Sequence, residues 1–191
     1  MLRLVLAYVF WHWKKPAIPS AEYEARLEQF QSALADQPPV GFARAYCCAL
    51  AGAPWLNSGG SGYEDWYLVD KSAALDPLND AAISASRLAA HDAAASAAAG
   101  GTAGLYRLRF GASQSVPRFA YWFAKPDGMS YRDLYDALQG TIATEHAALW
   151  GRQMTLGPAM EFCLHAPHRV TLPETLSALE LLLRPVWPRE S

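Results

Sequence analysis

The chain has 191 residues, of which 52% are hydrophobic and 18% are charged, and its formal net charge is −2. A chain of this length can bury a full core as one large domain or as two small, closely packed ones. The charge balance excludes the strongly basic surface that tracks nucleic-acid phosphates, so no nucleic-acid partner is expected.

The first predicted element is a strand over residues 2–14. Its start resembles a secretory signal, but it lacks a cleavage site and is too short to cross a bilayer as a helix. Alternation places Tyr8 and His12 on one face and Trp11 and Trp13 on the other. A strand that is apolar on both faces is covered on both faces. Since the start is interpreted as a strand and not as a signal or a membrane helix, we expect a cytoplasmic protein that does not bind membranes.

The next elements complete a strand–helix–strand–strand–helix–strand unit. Ser20 begins an amphipathic helix that Pro38 stops, and a flexible loop at Asn57–Gly62 precedes the third strand, either as a mobile lid or as a simple connector. Alanine-rich residues 84–99 indicate a helix that packs closely on its neighbours, and Gly100 is expected to end it. The remaining elements are strands at 41–50, 63–70 and 105–110 and a helix from about residue 73.

A second unit repeats this order after a polar linker at residues 111–117. The sequence Trp-Lys-Lys-Pro before Ser20 recurs as Phe-Ala-Lys-Pro before Ser130, each time between an aromatic strand and an amphipathic helix. The repeat predicts two ferredoxin-like units, at residues 1–112 and 118–191. The second unit is predicted to contain strands at 118–125, 147–156, 159–166 and 181–187, a helix from residue 130 and a short helix after Pro173.

An isolated ferredoxin-like sheet leaves one apolar face bare, and two such sheets in one chain can cover each other. With its repeated aromatic strands, the chain resembles the dimeric α+β-barrel superfamily, which includes antibiotic-biosynthesis monooxygenase-like, muconolactone-isomerase-like and chlorite dismutase-like proteins. The resemblance implies an α+β fold in which two ferredoxin-like βαββαβ repeats pack their antiparallel sheets face to face as a barrel. It also implies a ligand pocket, either between sheet and helices or between the two sheets. The molecule is then either a monomer with an internal pseudo-dimer or a homodimer.

The three cysteines, Cys47, Cys48 and Cys163, lie in predicted strands and are expected to be buried free thiols. No CxxC or Cys/His spacing typical of zinc is present, so no metal site and no cofactor are predicted. Motifs for nucleotide binding, hydrolase nucleophiles and zinc proteases are absent from the sequence as well.

Two histidines are the candidate catalytic residues. His12 shares a strand face with Tyr8 and Phe10, where it could act as a general base or hold a ligand, or be a partly wet histidine at the rim. His91 stands in the alanine-rich helix, where small neighbours could leave room for a ligand beside its imidazole; alternatively, His91 and Asp92 face solvent on a surface helix. Asp92 is adjacent, but consecutive helical residues point about 100° apart, so it is not expected to orient His91.

Other polar residues on predicted strands carry weaker hypotheses. Glu64 and Asp65 are consecutive, so one is expected to reach a pocket and the other to meet water or a basic partner. Glu161, Cys163 and His165 share a face but are too far apart to chelate one metal. With His168, they are treated mainly as structural residues.

Three functions remain open from sequence. The first is an enzyme with an aromatic pocket for a small apolar or aromatic molecule; the resemblance suggests cofactor-free oxygenation or isomerisation. The second is a non-catalytic protein that binds a ligand or serves assembly. The third is a haem protein, for which the resemblance implies His146 or His165 as the axial ligand. The predicted substrate-binding residues are Tyr8, Trp11, Trp13, Trp66, Tyr121 and Trp122.

Overall fold

A computed structural model describes residues 5–56 and 59–189, apart from the side chain of Ala85. The strands are β1 (Leu6–Lys14), β2 (Phe42–Ala51), β3 (Ser61–Val69), β4 (Ala98–Gly111), β5 (Phe119–Phe123), β6 (Ala148–Arg152), β7 (Phe162–Ala166), β8 (Leu179–Leu182) and β9 (Arg184–Trp187). The helices are α1 (Ser20–Asp36), α2 (Leu75–Ala82), α3 (Ala85–Ala97) and α4 (Tyr131–Thr144). Residues 2–4 of the predicted first strand and Asn57 and Ser58 of the predicted loop lie outside the described residues.

All nine described strands form one antiparallel sheet in the order β8-β5-β7-β6-β4-β1-β3-β2-β9. Its two halves, β8-β5-β7-β6 and β4-β1-β3-β2, have the same ferredoxin-like order, and β4 pairs with β6 to join them. At the opposite side, β8 pairs with β5 while β9 pairs with β2. The single residue between these strands, Leu183, donates its N–H to the carbonyl of Arg118. The sheet therefore curls into a nearly closed barrel, as the sequence predicts.

The interior of the barrel is filled by aromatic rings from both halves. Trp11 and Trp122 have ring centroids 5.6 Å apart, and Trp66 and Trp150 have centroids 5.2 Å apart. All four indoles are fully buried, because the inward faces of the two half-sheets cover each other. This shared core holds the two halves together.

The outer faces of the sheet are covered by helices. The apolar stripe that the sequence places on α1 is buried against the first half, with α2 and α3 beside it. In the second half, α4 buries Leu134, Leu138 and Ile142, and Ser130 caps this helix by accepting a hydrogen bond from the N–H of Asp133 at 3.1 Å. No helix in these described parts of the chain is long and apolar enough to span a membrane.

Several boundaries differ from the prediction, and β6 and β7 are shorter than the strands predicted at 147–156 and 159–166. Strand β4 begins at Ala98 rather than Leu105, so Gly100 and Gly101 are strand residues. A Cβ at Gly101 would lie 2.5 Å from the Phe10 ring, which shows that glycine is needed for close packing there rather than for ending α3. The segment after Pro173 contains a turn instead of a helix. The predicted last strand is divided into β8 and β9, because its two parts pair with opposite sides of the sheet.

Candidate functional site

A cavity of about 720 Å³ lies between the helices α1–α3 and the outer face of β1, β3 and β4. Most of its wall is apolar and comes from side chains of the sheet and of all three helices. Residues that line it include Tyr8, Phe10, His12, Tyr23, Leu27, Phe30, Asp65, Tyr67, Leu78, His91, Ala94, Ala95, Ala98, Leu105 and Thr155. The large cavity is thus between sheet and helices, which was one of the two positions left open by the sequence.

The composition of α3 explains why there is space at this position. Ala94 and Ala95 of α3, with Ala98 at the start of β4, face the cavity with methyl groups where larger side chains would fill it. His91 stands one turn away on the same helix and packs edge-on against Phe30 of α1, with ring centroids 5.6 Å apart. The alanine-rich segment therefore keeps a helical backbone while leaving volume beside an imidazole.

One end of the cavity is a buried polar cluster centred on His12. The side chain of His12 is 1% exposed, so it is a buried residue rather than one at the rim. Its Nδ1 lies 2.7 Å from the hydroxyl of Tyr23, and its Nε2 lies 3.3 Å from Oδ2 of Asp65. Burial and the nearby Asp65 raise the pKa of Tyr23, so this hydroxyl stays protonated at neutral pH.

Asp65 is held by a second layer of hydrogen bonds. The Tyr67 hydroxyl donates to Oδ2 of Asp65 at 3.0 Å, and the Gln31 amide donates to the Tyr67 hydroxyl at 3.0 Å. Burial raises the pKa of the Cys47 thiol on the neighbouring strand β2, and the nearby Asp65 carboxylate raises it further. The carboxylate is therefore fixed in position although it is only 3% exposed.

His91 forms a second histidine–carboxylate pair. Its Nδ1 lies 3.0 Å from Oδ1 of Asp92. This corrects the expectation that Asp92 is not placed to orient the imidazole: the exposed Asp92 side chain and the half-exposed His91 side chain turn towards each other along the helix surface. The other ring nitrogen of His91 makes no hydrogen bond within residues 5–56 and 59–189, so it is available to a ligand.

The opposite end of the cavity meets solvent. Asp76 and Asn79 of α2 are exposed, whereas the His12 cluster is closed off. Thr155 reaches this end from the loop between β6 and β7, and the N–H of Gln153 in the same loop donates to the carbonyl of Leu105 at 2.8 Å. The cavity thus has an exposed polar part at Asp76 and Asn79 and a buried polar part at the His12 cluster.

Glu64 lies on the other face of β3, inside the barrel. It accepts a hydrogen bond from the indole of Trp11 at 3.2 Å, and its second oxygen lies 3.9 Å from Nε2 of His165. Burial raises the pKa of Glu64 to about 7 and, with Arg44, lowers the pKa of His165 to about 3. Glu64 and Asp65 thus occupy opposite faces as predicted, but Glu64 meets tryptophans instead of water.

The six aromatic residues predicted to bind substrate lie in four different places. Tyr8 lines the cavity, whereas Trp11, Trp66 and Trp122 pack inside the barrel. Trp13 packs half-buried against the same interior core. Tyr121 lies beneath α4, where its hydroxyl accepts a hydrogen bond from the N–H of Val170 at 2.9 Å. Of the predicted set, the structure brings Tyr8, His12 and His91 together around one cavity.

The histidines considered for haem do not fit such a group. His146 and His165 line a separate pocket of about 10 Å³, which is the volume of roughly one water molecule and far too small for a porphyrin. His146 is exposed at the end of α4, and His165 is enclosed by Tyr46, Trp66 and Glu64. The second half therefore offers no haem pocket at these residues.

Comparison with solved structures places the chain in a known fold. A protein from Fusobacterium nucleatum named "Putative monooxygenase" superposes with a TM-score of 0.63 at 8% identity, covering 97% of this chain and 94% of that chain. The chain therefore shares an α+β barrel fold with this protein. A "Putative Chlorite dismutase" gives a TM-score of 0.51 at 12% identity, and a "putative monooxygenase" from Lactobacillus acidophilus gives 0.50 at 9%; each covers 95% of this chain and 94% of the other. No family model matches the sequence, and no curated protein matches it. The likeness thus concerns the fold.

Three residues of the polar cluster were not among the predicted site residues. Tyr23 belongs to the apolar stripe of α1, Asp65 was one of two equivalent carboxylates, and Tyr67 is one of many aromatic residues. Asp65 shares a sheet face with His12 because it pairs with Phe10, two residues before His12, and this register is visible only in the structure. The signal for Tyr23 was a hydroxyl on an otherwise apolar helix face.

Proposed function

We propose that the cavity binds a small, largely planar aromatic molecule and that His91 transfers a proton to or from it. The observation that carries the proposal is the cavity of about 720 Å³ with an apolar, aromatic wall that ends at the buried cluster of His12, Tyr23 and Asp65. Ligand sites commonly have about 300–1,000 Å³ and few, fixed polar groups. A fused-ring molecule matches both the volume and the wall.

His91 is the proposed base because its two nitrogens have different roles. Asp92 accepts a hydrogen bond from Nδ1–H and stabilises the imidazolium, while Nε2 takes the proton from the bound molecule. His12 is less suited to this step, since Tyr23 and Asp65 are already close to its nitrogens. We assign the binding of the ligand's polar group to the Tyr23 hydroxyl, which can donate to a ligand while it accepts from Nδ1–H of His12.

The reaction type is supported by the fold and by this geometry together. Two proteins of the same fold carry the printed name monooxygenase. Cofactor-free oxygenation and isomerisation, the reactions implied by the resemblance, both begin by removing a proton from a carbon that an adjacent carbonyl makes acidic. Proton transfer at such a carbon is therefore the step that we assign to His91.

The test uses 2-tetralone, a fused-ring ketone with an acidic C–H beside its carbonyl. Calorimetry measures binding, and proton NMR in D2O measures exchange at that carbon. We expect the wild-type protein to bind 2-tetralone and accelerate its exchange. His91→Asn should bind it with a Kd within about twofold but lose at least about 100-fold of the acceleration, the usual contribution of a general base.

The matched control is His168→Asn. His168 also contacts a carboxylate, that of Glu145, but neither residue lines the cavity. This variant should match wild type in binding and exchange. Exchange that survives His91→Asn would refute the role of His91, and binding without exchange in wild type would favour the non-catalytic alternative.

A further inference from the structure

Cys47, His12 and Asp65 form a cluster of metal-binding side chains on three neighbouring strands. Asp65 of β3 pairs with Phe10 of β1 on one side and with Cys47 of β2 on the other. One potential ligand atom from each of the three side chains lies within 4.8 Å of the other two. All three residues are buried, so the sheet itself fixes their separation.

The hydrogen bonds of this cluster leave two specific atoms unused. His12 Nε2 and Asp65 Oδ1 are buried and have no hydrogen-bond partner. Nε2 is 3.3 Å from Oδ2 of Asp65, but the direction does not make a hydrogen bond. Their companion atoms, Nδ1 and Oδ2, are held by the hydroxyls of Tyr23 and Tyr67. Buried polar atoms without partners are uncommon and call for an explanation.

This arrangement matches the surroundings of a metal ligand. A histidine that binds a metal usually donates its other N–H to an acceptor, which fixes the ring, and a ligating carboxylate is itself hydrogen-bonded. The hydroxyl of Tyr23 can accept from Nδ1–H, while Tyr67, supported by Gln31, holds the carboxylate. The atoms that remain free are then those suited to coordination.

We propose that His12, Cys47 and Asp65 bind one divalent transition-metal ion of the zinc type. Nitrogen, sulfur and oxygen donors are the set that zinc takes, and a thiolate with a carboxylate balances the charge of the ion in a buried site. His12 and Asp65 also line the cavity, so the fourth position faces the ligand space. Three protein ligands and one open position are the pattern of catalytic zinc.

This inference goes beyond the proposed function, because neither ligand binding nor His91 depends on the metal. It departs from the sequence-based expectation of no metal, which rested on local spacing. Residues 12, 47 and 65 come together only through strand register. A metal here would polarise an oxygen of the bound molecule at the end of the cavity opposite the solvent.

The test uses cobalt(II) as a spectroscopic probe on the full chain after dialysis against a chelator. We expect one equivalent to bind, with a thiolate-to-cobalt absorption band that zinc abolishes by displacement. Cys47→Ala should lose the band and bind cobalt at least tenfold more weakly. Cys48→Ala is the matched control, since this adjacent buried thiol faces the barrel interior, and it should keep the band.

If Cys47→Ala fails to fold, Cys47→Ser provides the same comparison. Absence of cobalt binding in wild type, or a band that survives removal of the Cys47 thiol, overturns the metal site and indicates a purely hydrogen-bonded cluster. The 2-tetralone measurements on metal-free protein separate this outcome from failure of the proposed function. Binding and exchange there test His91 and the cavity alone.

Discussion

Glu64 and Asp65 are consecutive residues of β3, and their carboxylates lie on opposite faces of the sheet. Asp65 reaches the polar end of the cavity, while Glu64 is enclosed by the tryptophans of the barrel interior. One strand thus contributes to two buried polar clusters that do not share a space. Ligand binding and barrel stability can therefore be altered separately.

The cavity can be filled without changing the polar cluster. Ala94→Leu adds a branched side chain into the space, so we expect the Kd of 2-tetralone to rise at least about tenfold. Ala89→Leu on the same helix is exposed and outside the cavity, and it should leave the Kd unchanged. Calorimetric titration of both variants decides the matter; equal affinities would place the ligand elsewhere.

Two tyrosines that the sequence treats alike should behave differently. Tyr121→Phe leaves the N–H of Val170 without its acceptor, so we expect a loss of about 1–3 kcal/mol in the free energy of unfolding and unchanged 2-tetralone binding. Tyr8→Ala removes part of the cavity wall and should weaken binding several-fold. Urea unfolding and calorimetric titration are measured for both variants. Weakened 2-tetralone binding in Tyr121→Phe would contradict the prediction.

The buried His165 should make stability depend on pH. Its folded-state pKa of about 3 lies below the ordinary value of 6.5, so the unfolded chain takes up the proton first and the contribution of His165 to stability is lost as the pH drops below 6.5. Glu64, whose pKa is raised to about 7, contributes in the opposite direction. Glu64, Tyr46 and Arg44 are the titratable and charged groups that act on this imidazole.

Between pH 7.5 and pH 5 the contribution of His165 corresponds to about 2 kcal/mol. On going from pH 7.5 to pH 5, the change in unfolding free energy should be more favourable by that amount in His165→Gln than in wild type, because Glu64 titrates in both proteins. Urea unfolding at both pH values measures it. Equal changes in the two proteins would show that folding does not lower the pKa of this imidazole.

Replacing two glycines by alanine should change the stability of the protein in opposite directions. Gly111 has a φ of +78°, and a Cβ there would lie 1.9 Å from the carbonyl oxygen of Ala147, where β4 meets β6. Gly111→Ala should therefore cost at least about 2 kcal/mol. Gly140 lies in α4 with open space around it, so Gly140→Ala should stabilise by about 0.5–1 kcal/mol. Thermal unfolding of both variants checks the signs.

The element order was predictable because the repeated elements can be recognised from short stretches of sequence. Aromatic strands, helix stripes and proline or glycine stops each occur within a few neighbouring residues, and they led to the barrel. The β8–β9 division was not predictable, since nothing local in residues 179–187 shows that its parts pair with strands far apart in the sequence. The division into units at 1–112 and 118–191 remains a prediction.

The candidate site was predictable only where one strand face or one helix carried the signal. Tyr8 and His12 were found by alternation along β1, and His91 by the alanines around it. Trp11 was assigned to the same pocket because alternation separates two faces without showing which one is packed full. The Tyr23 and Asp65 contacts to His12 depend on how α1 and β3 lie against β1, which the sequence does not state.

The division of the last strand into β8 and β9 at Leu183 has a consequence for biosynthesis. Strand β9 adds to the edge of β2, so the first half of the sheet keeps an open edge until residues 184–187 have left the ribosome. Until then the tryptophan-rich inner face lacks its cover, and nascent chains would be prone to self-association. Chaperone demand during synthesis should therefore persist until the last strands emerge.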